Sequence, residues 1–81
     1  MTTIIIKLDS IDKVKKFVSI TNCYEGKIEV SSGRCTVDGK SIMGIFSLDL
    51  KNDLTLNIQS EENVSALVHE LEPYIIVSPF K

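Results

Sequence analysis

The sequence predicts an α+β fold in two layers, with elements in the order βαββαβα. Three observations carry that prediction. Four short runs alternate apolar and polar residues, at Ile4/Ile6/Leu8, Ile28/Val30, Cys35/Val37 and Leu54/Leu56/Ile58, which is the two-residue period of a half-buried strand. Two longer runs, Ile11/Val14/Phe17/Val18 and Val64/Leu67/Val68/Leu71, repeat at helical spacing. A third apolar run follows Asp38-Gly39-Lys40-Ser41, where a turn dipeptide leads to a serine of the kind that caps a helix.

In chain order, Thr3 to Leu8 reads as a strand, and Ile5 on its outer face marks covered or edge surface. Asp9 or Ser10 can cap the next helix, on which Lys13, Lys15 and Lys16 form a solvated face. Asn22 to Gly26 ends that helix, with Gly26 as its stop. Lys27 to Ser31 and Arg34 to Asp38 form a hairpin joined by Ser32-Gly33, with Cys35 and Val37 pointing inward and Arg34 pairing with Glu29. The Ser41 helix and the strand around Leu56 come next. Ser60 with Glu61 and Glu62 reads as the start of the last helix, acids facing the positive end of its dipole. Pro73 stops or kinks that helix, because its ring removes a donor and clashes one turn back. Tyr74 to Val77 is then expected either along a sheet edge or over the core.

A chain of 81 residues makes one domain, residues 1–81, which buries about 60–65% of its unfolded surface. With 43% hydrophobic and 25% charged residues it reads as a soluble protein. No run is long enough for a membrane span, and the N-terminus lacks the basic region and cleavage site of a signal peptide, so a cytoplasmic location is expected. The net charge of −2 and the scattered lysines argue against nucleic acid as a partner. Cys23 and Cys35 lack the spacing and companion histidines of a metal site and read as buried thiols. Neither a metal nor a cofactor is expected.

Lys40-Ser41-Ile42-Met43-Gly44, preceded by Thr36-Val37 and followed by Ser47-Leu48, resembles the regulatory serine segment of the HPr phosphocarrier family of the sugar phosphotransferase system. The likeness extends over most of the chain. It implies an HPr-like open-faced sandwich, with an antiparallel four-stranded sheet in the order 1-4-2-3 and helices on one face.

Family members carry a phosphoryl group on a histidine at the start of the first long helix, with an arginine two residues on. Imidazole is a nucleophile near neutral pH, the helix N-terminus holds the phosphate, and the guanidinium forks around its oxygens. Between Met1 and Gly33 this chain has neither a histidine nor an arginine. The loop after Leu8 is shorter than the family's, and an ungapped comparison back from Lys40 puts Ser10 in the histidine's place, Asp12 in the arginine's and Lys13 near the family's proline. Asp9, Ser10 and Asp12 thus read as a degenerate phosphoacceptor loop whose carboxylates repel phosphate. His69, the single histidine, lies off the buried stripe and reads as a surface residue. No catalytic grouping can be assembled, so the chain is not expected to be an enzyme.

Two readings of the Ser41 segment stand side by side. In one, Ser41 caps a helix and Ile42, Ile45 and Phe46 are core. In the other, which the resemblance brings level with the first for binding but not for phosphorylation, an HPr-kinase-like enzyme phosphorylates Ser41. Ile42 and Met43, with Phe46 or Leu48, then form an apolar contact patch, Lys40 belongs to the same surface, and Gly44 lets a partner's backbone approach. The Crh-like members of the family similarly lack the histidine, keep the serine and act with a catabolite repressor. The expected function is a non-catalytic regulatory or interaction module with a protein partner, a kinase of that kind or a transcriptional regulator. The alternative is a phosphocarrier whose acceptor has moved to His69 or Asp9, and a third reading keeps the fold for an unrelated binding role.

Overall fold

The computed structural model describes residues 2–60 and 62–77. Strand β1 (Thr2–Ile6) is followed by helix α1 (Ile11–Asn22), the hairpin of β2 (Ile28–Ser32) and β3 (Cys35–Asp38), helix α2 (Ile42–Phe46), strand β4 (Leu54–Ile58), helix α3 (Val64–Leu71), a 3-10 turn (Glu72–Tyr74) and strand β5 (Ile75–Val77). The sheet is antiparallel, in the order β3-β2-β4-β1-β5. The expected order 1-4-2-3 is contained in it. β5 adds a fifth strand at the free edge of β1, pairing Val77 with Ile5 and Ile75 with Ile6. Of the two courses left open for the tail, residues 75–77 take the sheet edge, and Tyr74 helps to cover the core.

Alternation places Ile4, Ile6, Ile28, Val30, Leu54, Leu56 and Ile58 on the face under the helices, all of them buried. Phe17 and Val14 of α1 and the whole Val64/Leu67/Val68/Leu71 stripe of α3 pack on that face. Phe17 meets Tyr74 edge to face, with ring centroids 6.4 Å apart. The opposite face is polar apart from Ile5 and its partner Val77, and the cross-strand pair Thr3 and Asn57 shares a hydrogen bond of 3.0 Å.

The ends of the elements depart from expectation in ways that packing explains. Ser10 is the cap of α1, and its Oγ accepts from the Lys13 N–H at 3.2 Å. The helix stops at Asn22, so Gly26 does not terminate it. A Cβ on Gly26 would lie 2.5 Å from both Ser60 Cβ and Tyr24 Cε2, so the glycine serves a close approach of two loops. Ser60 does not cap α3. Its Oγ accepts from the Glu62 N–H, and Asn63 enters the helix in the left-handed region at φ 56° with no side-chain cap. Neither Glu62 nor any other acid lies in the first turn of α3, and Glu61 is outside the described residues. Pro73 sits in the 3-10 turn directly after α3, as its chemistry requires.

The hairpin turns through Gly33-Arg34 rather than Ser32-Gly33, since Ser32 pairs with Cys35 and Gly33 takes φ 60°. Glu29 pairs across the strands with Asp38, at the far end of the hairpin from Arg34, and accepts a hydrogen bond from Gln59. The expected Arg34–Glu29 pair does not form.

Both cysteines are exposed, not buried. Cys23 lies past the end of α1, where Thr21 has taken the inward place, and Cys35 stands at the turn end of the edge strand β3. Ile11, at the first turn of α1, is 63% exposed.

Candidate functional site

The Ser41 segment is assembled from its lead-in. Asp38 starts the turn, its carboxylate accepting from the Lys40 N–H at 2.9 Å and its carbonyl from the Ser41 N–H at 3.1 Å. Gly39 donates its N–H to the Ile28 carbonyl at 2.8 Å. Ser41 then takes extended backbone angles and caps α2: its Oγ accepts from the Gly44 N–H at 3.1 Å, while its carbonyl accepts from the Ile45 N–H. Such a cap is worth about 1 kcal/mol. The serine is partly accessible.

α2 presents two faces. Ile45 is fully buried and anchors the helix, Ile42 and Phe46 are half-buried, and Met43 is 76% exposed. Met43 with parts of Ile42 and Phe46 is therefore open to solvent, while other residues expected at this surface are placed differently. Leu48 is 7% exposed and belongs to the core, because the chain turns inward after Phe46 to reach β4. The open side of Gly44 faces its own sheet, since a Cβ there would meet Val37 Cβ at 3.2 Å, so its small size admits β3 and not a partner. Lys40 donates from Nζ to the Tyr24 carbonyl at short range, which draws its ammonium toward the end of α1.

The loop expected from the sequence to be a degenerate phosphoacceptor loop lies beside this helix. Asp9, Ser10, Ile11, Phe46, Leu48 and Leu50 are among the walls of one cleft of about 390 Å³, so the start of α1 and the end of α2 share a surface. Periodicity missed Ile11 and Leu50 as members of this face. Ile11 fits the helical stripe but is the first residue of α1 and is exposed. Asp12 is exposed but does not line the cleft.

Asp9 bonds Lys13 Nζ at 2.8 Å, and the hydrogen bond and charge of that ammonium hold the Asp9 carboxyl below the usual carboxylate range. The linked stability is present above the ordinary carboxylate pKa and fades as pH falls through the lowered one. A carboxyl-carbon NMR titration should show Asp9 titrating lower in the intact protein than in Lys13→Met. Identical midpoints in the two would mean that the ion pair does not hold in solution.

His69 lies elsewhere, on a cleft of about 730 Å³ that also includes Cys23, Tyr24, Glu62 and Glu70. Its side chain is 83% exposed, and Nδ1 is 3.7 Å from a Glu72 carboxylate oxygen. The structure thus brings Ser10 and Asp9 to the α2 surface and leaves His69 apart from it. Among the described residues no group of side chains is arranged to hold a metal ion, and no helix is long and apolar enough to cross a membrane.

The architecture is that of the HPr phosphocarriers. The crystal structure of HPr-C-His from Thermoanaerobacter tengcongensis matches with a TM-score of 0.77 at 22% identity, over 90% of this chain and 89% of that one. The family model described as the PTS HPr component phosphorylation site matches residues 12–75. The chain belongs to the HPr family. No curated protein matches its sequence.

Proposed function

We propose that this HPr-family chain is a non-catalytic regulatory or interaction module that acts through the α2 surface, with Ser41 as its switch. The observation that carries this reading is Met43, 76% exposed on the same short helix that Ser41 caps. A large flexible thioether beside a half-buried Ile42 and Phe46 suits a protein contact better than a solvated surface. A phosphoryl group on Ser41 would replace the Oγ as acceptor of the Gly44 N–H and add charge at the positive end of the helix. The partner is a protein, either an HPr-kinase-like enzyme or a regulator that reads the modified serine. The expected setting is cytoplasmic, in the regulation of bacterial sugar transport.

Two observations support this reading over the alternative of a relocated acceptor. Asp9 is engaged by the Lys13 ammonium at 2.8 Å, and His69 lies on a different surface, away from the start of α1 and from α2. Treating the protein with bacterial HPr kinase and ATP, then mapping phosphoserine by mass spectrometry, tests the proposal. Label at Ser41 is expected. Failure to label under conditions that modify an ordinary HPr removes the switch, and acid-labile phosphate after phosphoenolpyruvate and the first phosphotransferase enzyme would favour the carrier reading.

A further inference from the structure

We propose that Thr21 and Asn22, at the C-terminal end of α1, are positioning residues for Ser41, holding the two carbonyls that precede it. This rests on the reading of the α2 surface as the functional one. A helix of five residues, Ile42–Phe46, is far too short to hold itself together, so its direction must be imposed by tertiary contacts. Ile45 supplies one from below. The other is the lead-in, where α1 reaches across 18 residues of sequence twice.

Thr21 is fully buried and is the one buried polar side chain among the described residues. A hydroxyl on a helix usually satisfies itself on the preceding turn, and Thr21 Oγ1 lies 3.2 Å from the Val18 carbonyl. Its shorter bond, 2.9 Å, goes instead to the Gly39 carbonyl. Asn22 Nδ2, with two hydrogens to give, donates to the Val18 carbonyl of its own helix at 2.9 Å and to the Lys40 carbonyl at 3.2 Å, and Lys40 returns the contact through Nζ to the Tyr24 carbonyl. From the other side Gly39 is pressed on β2, where an added Cβ would come within 2.5 Å of Ile28 Cγ2. The peptides on either side of Lys40 are therefore fastened to the end of α1, and the direction in which Ser41 presents its hydroxyl follows from them. Neither Thr21 nor Asn22 needs to touch a partner for this.

Amide hydrogen exchange read by NMR tests the clamp without any partner. Thr21→Val keeps the shape but leaves the buried Gly39 carbonyl unpaired, so the Gly44 and Ile45 amides are expected to exchange about five- to tenfold faster relative to the core amide of Leu56. Thr21→Ser should restore protection. Asn22→Ala, at an exposed site, should move Gly44 in the same direction by a few-fold and stands in if Thr21→Val does not fold. Equal acceleration of Gly44 and Leu56, or an unchanged Gly44 in Asn22→Ala, overturns the proposal. In parallel, Thr21→Val should lower kcat for labelling of Ser41 by HPr kinase more than it raises KM. If the unaltered chain takes no label, the functional reading of Ser41 falls, while the exchange ratios still decide the clamp.

Discussion

Replacing Phe17 with alanine is expected to remove most of the stability of the fold. Phe17 is the largest fully buried side chain among the described residues, set on α1 above the sheet and against Tyr74. Removing a buried phenyl ring costs about 3–5 kcal/mol through lost transfer energy and the cavity left behind. Domains are stable by only about 5–15 kcal/mol, and one this small lies toward the lower end. The sheet cannot collapse into the gap, because its strands are fixed by their pairing on both sides of β4 and β1. Tyr74 also loses its packing partner, and it leads directly into β5, so the edge strand should loosen with the core. Urea denaturation followed by far-UV circular dichroism should show a greatly lowered midpoint or no cooperative transition. A midpoint within about 1 kcal/mol of the parent would mean that the helical layer does not sit on the sheet as described.

Exchanging Met43 for glutamine is expected to leave stability unchanged and to impair recognition. The side chain is 76% exposed and makes no part of the core, and glutamine is as good a helix former, so the denaturation midpoint should move by less than about 0.5 kcal/mol. At the centre of a contact patch, an anchoring side chain is worth about 2 kcal/mol, a factor of roughly 30. Under the proposed function, kcat/KM for phosphorylation of Ser41 by HPr kinase should fall by about that factor. Equal rates with the parent would take Met43 out of the recognition surface. A parallel loss of stability would show instead that Met43 packs inside.

The repeating parts of this fold were legible because each rests on a local period. Leu54, Leu56 and Ile58 alternate with polar residues, and all three are buried. Val64, Leu67, Val68 and Leu71 keep helical spacing, and all four are buried. The boundaries were not legible, because several side chains compete to end or begin an element. Ser60 and Asn63 are both capping residue types, and the chain entered α3 at Asn63, whose side chain tolerates the left-handed backbone. Of the site, Ser41 and its cap were readable from the turn and the serine. The division of the apolar run was not: Ile45 and Leu48 went inside, while Ile11, from a regular stripe, came out.

By itself the sequence determined the number and kind of the first seven elements, the buried faces of β1, β2, β4 and α3, and the capping serine at 41, since each depends on residues within a few positions of one another. Family membership added the sheet order. Only the tertiary structure decided that residues 75–77 join β1, that Cys23 and Cys35 lie outside, and that Lys40 is drawn to Tyr24. It alone brought the start of α1 beside the end of α2. Those outcomes depend on which neighbour stands across the sheet or beyond the end of a helix. Such proximity is set by packing between segments remote in the chain, and no local pattern encodes it.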